Sequence, residues 1–361
     1  MPIARADPVL QGLAEGVRNL LSRCAEIQPG QRLLVLREDP ALGWYDRAAP
    51  EAVAAEARAM GATATVLVVG APTNAEPAEI AASIAAHDAV IFFARIGDQD
   101  RFEDRYPGKT VAMSYARRAG DLASVFGRTD HRAMAALKSA VNAVLRGAGR
   151  IEVTCPLGTR VSGSGGLPEA GEVAVRRFPL GVPQPVPAEG FSGQVALARY
   201  LTPTGSRVYD PAWVPIAEPV MAQIEGGRIA GLDGPAAETA RIHAHYQRVA
   251  ATFGIEALAV HSWHAGFHPG CTDARPAAED PDRWANTVFN SPRVLHFHTC
   301  GAYAPGEICW MVLDATVMVD RTPLWRDGVL CPENFAPLRD CLRRWPELPA
   351  LFSTQLAPVG I

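Results

Sequence analysis

Apolar positions in the first 150 residues fall into two alternating textures. Short continuous runs, RLLVL (32–36), ATATVLVVG (62–70), DAVIFFAR (88–95) and TVAMSY (110–115), read as strands buried on both faces. Between them lie segments with apolar residues at helical spacing. Val9, Leu13, Val17 and Leu20 follow Asp7 and Pro8, with the proline where a first-turn proline is tolerated, and further helices are predicted over 50–60, 77–87 and 130–145. Continuous strands separated by helices predict a parallel, doubly wound sheet, a Rossmann-like α/β domain. No G-x-G-x-x-G follows any of these strands, so no dinucleotide site of the usual kind is expected.

Near residue 150 the texture changes. RIEVTCPLGTRVSGSGG (150–166) alternates and then dissolves into Gly and Ser. In PVMAQIEGGRIAGLDG (219–234), Glu225, Gly226 and Gly227 separate two alternating runs and predict a hairpin. A helix is predicted over 236–253, a strand over 257–261, and a β-rich stretch from RVLHFHTC (293–300) through EICWMVLDATVMVD (307–320). The chain therefore reads as an α/β domain over 1–150 and a mostly β (α+β) domain over 151–361. A length of 361 residues suits two domains.

Composition narrows the partners. Hydrophobic residues make up 48% and charged residues 20%, which is globular, and the net charge of −4 comes without any block of like charge. That pattern predicts no nucleic-acid partner. No stretch of 18 apolar residues occurs and the first residues carry no apolar leader, so neither a membrane partner nor a secretory segment is expected. The 7 Cys are scattered rather than framed as disulfides, and a cytoplasmic, reducing location is the expectation.

The candidate chemistry is concentrated. Five of the 9 His fall between residues 261 and 298: His261, His264 and His268 in HSWHAGFHPG, and His296 and His298 in HFHTC. Cys300, Glu307 and Cys309 follow. Residues i and i+2 of a strand share a face, so His296 pairs with His298, and Glu307 with Cys309. Two such strands beside a loop carrying His264 and His268 converge N, O and S donors of the kind that Zn or non-heme Fe takes. The competing reading is a set of hydrogen-bonded structural histidines, because no strict zinc template is present. His243 and His245, at i and i+2 of a helix, read as surface residues, and Cys155 as a small buried hydrophobe. A second polar cluster, Arg95, Asp98 and Arg101, follows the third strand, where open α/β sheets bind ligands. A substrate carboxylate held by an arginine fork and an ion-paired structural loop are both compatible with it.

The order of an α/β domain, IEVTCPLGT, the hairpin EPVMAQIEGGRIAGLDG, HAGFHPG and ATVMVDRTPLWRDGVL resembles the superfamily that joins aminopeptidase T-like metallo-aminopeptidases to 2,5-dihydroxypyridine 5,6-dioxygenase. The resemblance implies a metal in the second domain, held by a His before the P-G turn and by a later H-x-D on a strand. Here Glu307 and Cys309 stand at that H-x-D pair. No counterpart of the aminopeptidases' second-metal carboxylates is evident, unless Glu189 or Glu172 serves. It also implies a homo-oligomer and a small-molecule substrate.

The expected metal set is His264, His298, Glu307 and Cys309, with His261, His268 and His296 competing for the histidine places. His298, Glu307 and Cys309 are the expected catalytic residues, and Arg95, Asp98 and Arg101 the substrate-binding ones. Three functions follow. An Fe(II) ring-cleaving dioxygenase would use His264, His298 and Glu307 as a 2-His-1-carboxylate set. A Zn(II) hydrolase of aminopeptidase or amidase type would use a metal-activated water with Glu307 as base, or else Cys300 or Cys309 as nucleophile with His298. A metal-free binding protein on the same fold is the third.

Overall fold

The computed structural model describes residues 8–75, 77–99, 101–167, 173–353 and 356–361, and Asp7 and Glu172 lie outside the described residues. The chain forms two compact units, Met1–Ala135 with Glu172–Leu180, and Ala136–Gly171 with Gly181–Ile361.

The first unit is built on a parallel sheet of β1 (Arg32–Glu38), β2 (Thr63–Val69), β3 (Ala89–Phe93), β4 (Thr110–Ser114) and β7 (Arg176–Phe178), in the order β2-β1-β3-β4-β7. The central strands are the continuous apolar runs: Leu33 to Leu36 are fully buried, and Ala89 to Phe93 are at most 3% exposed. Edge strand β2 is more open, with Thr63, Thr65 and Val68 exposed and only Ala64 and Val69 buried. β7 was not legible in the sequence. Its three residues come from beyond the expected boundary at 150 and return to the first sheet.

The sheet order reverses between β1 and β3, and the expected substrate residues sit there. Glu38, fully buried at the end of β1, takes the Arg95 guanidinium at 2.9–3.1 Å and the Arg95 backbone N–H at 2.9 Å. The same guanidinium lies 4.1 Å above the Trp44 ring. Tyr115 donates its hydroxyl to the Asp98 carboxylate at 2.7 Å, and the buried Arg101 donates to the Asp98 carbonyl at 2.7 Å. Arg95 and Asp98, expected to hold a substrate anion, are both engaged by partners of their own chain. Arg95 already holds a carboxylate of its own chain.

The second unit is an antiparallel sheet of twelve strands. They are β5 (Ile151–Thr154), β6 (Arg160–Gly163), β8 (Val186–Pro187), β9 (Phe191–Pro203), β10 (Val214–Glu225), β11 (Arg228–Asp233), β12 (Val260–Ala265), β13 (Val294–Thr299), β14 (Ile308–Leu313), β15 (Thr316–Val319), β16 (Thr322–Arg326) and β17 (Val329–Leu330). The order is β17-β16-β15-β5-β6-β9-β14-β13-β12-β8, with β10 on β9 and β11 on β10. β10 and β11 form the expected hairpin. Gly226 and Gly227 take the positive φ values of 53° and 72° that its two-residue turn demands.

Strands β12, β13 and β14 are buried on both faces, and their alternation sorts two chemistries. One face carries the cross-strand row Trp263–Phe297–Trp310, with ring centroids 6.4 and 5.8 Å apart. Helix Ala236–Phe253 covers it. Tyr246 accepts from Trp310 Nε1 at 2.6 Å and shares a 2.6 Å hydrogen bond with Thr299. The other face carries the histidines. Helix Pro281–Val288, capped by Asp280 and started by Pro281, packs Trp284 and Val288 there, against Val294 and Met311.

His243 is exposed as expected, but His245 is not: it is 1% exposed and receives Arg248 at 2.6 Å on Nδ1. The helix turns this position toward the sheet. Burial, and then Arg248, push the His245 pKa down to about 4.

Two outcomes are expected. Arg95→Ala should lower unfolding free energy in urea by about 3 kcal/mol, because it strands a buried carboxylate. A midpoint unchanged from wild type would refute the pairing. Below pH ~6.5 the unfolded chain protonates His245 while the folded chain does not, so stability should fall as pH drops toward 4, by up to about 1.4 kcal/mol per unit. His245→Asn should flatten that slope in the same unfolding measurement.

Candidate metal centre

The segment HSWHA forms β12 and HFHT ends β13, and the antiparallel register sets His264 opposite His296 and Ser262 opposite His298. Paired residues share a face, as do His296 and His298 two apart. All three imidazoles therefore emerge on one side. Their nearest donor atoms lie within 4.8 Å of one another, and the residues are only 2–4% exposed. Ring centroids are 4.3 Å apart for His264–His296, 4.9 Å for His296–His298 and 5.1 Å for His264–His298.

The hydrogen bonds indicate which nitrogens face the middle. His264 Nδ1 meets the Pro183 carbonyl at 3.0 Å. A carbonyl only accepts, so Nδ1 carries the proton, and neutral His264 presents a bare Nε2. That Nε2 stands 2.7 Å from His296 Nε2. Two bare nitrogens repel at this distance, so in this arrangement a proton on His296 Nε2 lies between them, and an ion taking its place at bonds of about 2.0–2.1 Å would part the two rings by a few tenths of an ångström. His298 turns Nδ1 to the Ser262 hydroxyl at 3.2 Å, and that hydroxyl meets His261 Nδ1 at 2.9 Å. Anchoring one ring nitrogen on a carbonyl or hydroxyl while the other faces inward is how metal-ligating histidines are held. The donor set fits one divalent ion with three imidazole ligands.

Other expected residues lie elsewhere. Glu307 is fully buried, but its carboxylate is taken by Ser206 at 2.9 Å, by the Tyr303 hydroxyl and by Arg207 at 3.5 Å. Its donor atoms are outside the group of three. Cys309 stands opposite His298 in the register and is 6% exposed, yet its sulfur is also outside that group. Of the expected set of His264, His298, Glu307 and Cys309, His264 and His298 lie in the group of three with His296, and Glu307 and Cys309 lie outside it. His268 is buried in the following turn, accepts from the Gly270 N–H at 3.2 Å, and is likewise outside, as is the exposed Glu189. His261 is half-buried, and burial lowers its pKa.

Burial first, and then Glu307, push the Cys300 thiol up to about 12. A thiol so seldom ionised is a poor nucleophile near neutral pH, which disfavours the cysteine–histidine variant with Cys300. The expected set took only His298 of the pair, although the i, i+2 spacing puts His296 on the same face. Nothing local announced Pro183 as the anchor of His264.

No protein-family model and no curated protein matches the sequence. Solved structures do resemble it. The 2,5-dihydroxypyridine dioxygenase of Pseudomonas putida KT2440 superposes with a TM-score of 0.60 at 14% identity, over 91% of this chain and 98% of its own. Wild-type AmpT from Thermus thermophilus does so with a TM-score of 0.52 at 13% identity, over 89% of this chain and 99% of its own. The parallel sheet, the large antiparallel sheet and this coverage together give the chain the same mixed α/β fold as these two structures.

Proposed function

We propose that this chain is a metal-dependent enzyme acting on a small molecule, with one divalent ion held by His264, His296 and His298. The observation that carries the reading is the convergence of three buried imidazoles, with His264 and His298 anchored through Nδ1. Such a centre has three protein ligands and leaves positions for a substrate or water. The bound ion supplies Lewis acidity and a binding point for an anionic or chelating substrate. The chain's own residues do the rest. Pro183 and Ser262 orient two of the rings, and Phe289, with its ring 5.9 Å from that of His296, walls the third.

Oxygen-dependent ring cleavage with Fe(II), as in the dioxygenase of the same fold, is the first reading of the reaction. The absence of a second-metal carboxylate set among the described residues separates this centre from two-ion hydrolysis. A second reading, single-ion hydrolysis with Zn(II), is favoured by the donor set: three neutral imidazoles without a carboxylate are the ligands of a hydrolytic zinc rather than of a 2-His-1-carboxylate iron.

Metal analysis of the purified protein tests the proposal. About one equivalent of Fe or Zn is expected, and Ala at any one of His264, His296 or His298 should cut it severalfold. Glu307→Gln should retain it. Stoichiometric metal surviving the loss of both His264 and His298 would refute the assignment. Occupancy should also fall as pH drops through the imidazole range near ~6.5, because protons compete for the same nitrogens. Oxygen uptake by Fe(II)-loaded protein on hydroxypyridines, set against amide cleavage by Zn(II)-loaded protein, decides between the two reactions.

A further inference from the structure

His264 and His298 are held through Nδ1 by groups of different kinds. The Pro183 carbonyl only accepts, so it fixes the His264 proton on Nδ1 without help. The Ser262 hydroxyl both donates and accepts, and two ring nitrogens meet it: His298 Nδ1 at 3.2 Å and His261 Nδ1 at 2.9 Å. A hydroxyl has one proton, so it donates to one of these rings and accepts from the other. That direction decides whether His298 presents a bare Nε2 or an N–H.

His261 sits at a break in the strand pairing. Val260 opposes Thr299 and Ser262 opposes His298, so His261 is an extra residue with no opposite, a β-bulge. In a regular strand neighbouring side chains point to opposite faces, and the bulge is what lets the His261 ring turn to the Ser262 hydroxyl. The Ala188 N–H donates to the His261 carbonyl at 3.0 Å and pins the backbone there. Ser262 is the only hydrogen-bond partner of the His261 ring among the described residues, and the residue is half-buried. Its Nε2 can therefore hold the ring proton toward water and leave Nδ1 bare. Burial lowers the His261 pKa, which keeps that ring neutral near neutral pH.

We propose that His261 is a positioning residue for the three-histidine centre. It accepts the Ser262 proton at Nδ1, the hydroxyl then accepts from His298 Nδ1–H, and His298 is held in the tautomer whose Nε2 is free to bind an ion. This rests on the metal reading above and extends it by one residue beyond the ligand's own partner. Without an acceptor at position 261 the hydroxyl proton turns to His298 Nδ1. The His298 proton then settles on Nε2 by exchange with water, where it competes with the ion.

His261→Phe keeps a ring of similar shape without the acceptor, whereas His261→Asn sets a carbonyl oxygen where Nδ1 stood. Zn(II) affinity of the full chain, read by competition with a chromogenic chelator, should fall about tenfold in His261→Phe and stay near wild type in His261→Asn. Ser262→Ala should weaken zinc binding as well, and adding His261→Phe to it should weaken it no further, because both act through one hydrogen-bond chain. Nitrogen NMR of the metal-free protein should show His298 protonated on Nδ1 in wild type and His261→Asn, and shifted toward Nε2 in His261→Phe. Wild-type zinc affinity in His261→Phe would overturn the proposal. So would equal weakening in the Phe and Asn variants with the His298 tautomer unmoved, which marks a packing role. Failure of the metal reading shows separately, as a wild type that takes up no zinc while the tautomer still responds to position 261.

Discussion

The strict two-residue alternation of β12, β13 and β14 is the constraint on which the rest depends. Both faces of these strands are buried, so every residue commits to one of two interiors. Trp263, Phe297 and Trp310 fill one side, and His264, His296 and His298 the other. A slip of one residue in the pairing would exchange the two sets. It would drive imidazoles against Tyr246 and tryptophans against Pro183. The aromatic packing and the Tyr246 hydrogen bonds therefore fix the register that brings the histidines together. The centre is a by-product of how the core resists slippage.

A buried polar face is expensive, and the residues around the histidines show how it is maintained. Pro183 offers a carbonyl to His264, Ser262 links His298 to His261, and Phe289 closes against His296. Just before β14, Glu307 finds Ser206, Tyr303 and Arg207, while Tyr209 donates to its backbone carbonyl at 2.8 Å. The carboxylate that a sequence reader would assign to the metal is thus held by its own network. The three histidines are left as the group whose donor atoms converge.

Much of this was legible in the sequence, for local reasons. Runs such as RLLVL and VIFF give strands because only a doubly covered sheet accommodates them, and EGG gives a hairpin because its φ values demand glycine. The histidine cluster was visible as a window of composition, and the i, i+2 rule placed His296 and His298 together. What escaped depends on contacts between distant segments. Arg95 looked available until strand order set Glu38 beside it, 57 positions earlier in the chain. Glu307 looked like a ligand until Ser206, about 100 positions away, took one of its oxygens. His245 looked like a surface residue because helical spacing alone does not say which face meets the sheet. Three residues of β7 join the first sheet by pairing with β4, which no local pattern announces.

The departure from the resembling superfamily has a simple geometric form. The resemblance sets its H-x-D pair at Glu307 and Cys309 on β14, whereas the imidazoles found together here come from β12 and β13. His298 lies directly opposite Cys309, so the imidazoles stand one strand, about 4.8 Å, to the side of that position on the same face. A sideways move of this kind preserves the enclosing helices and the aromatic layer beneath, because register and alternation are unchanged. The fold tolerates the change because a sheet face offers equivalent positions on adjacent strands, and chemistry can migrate between them while the core stays in place.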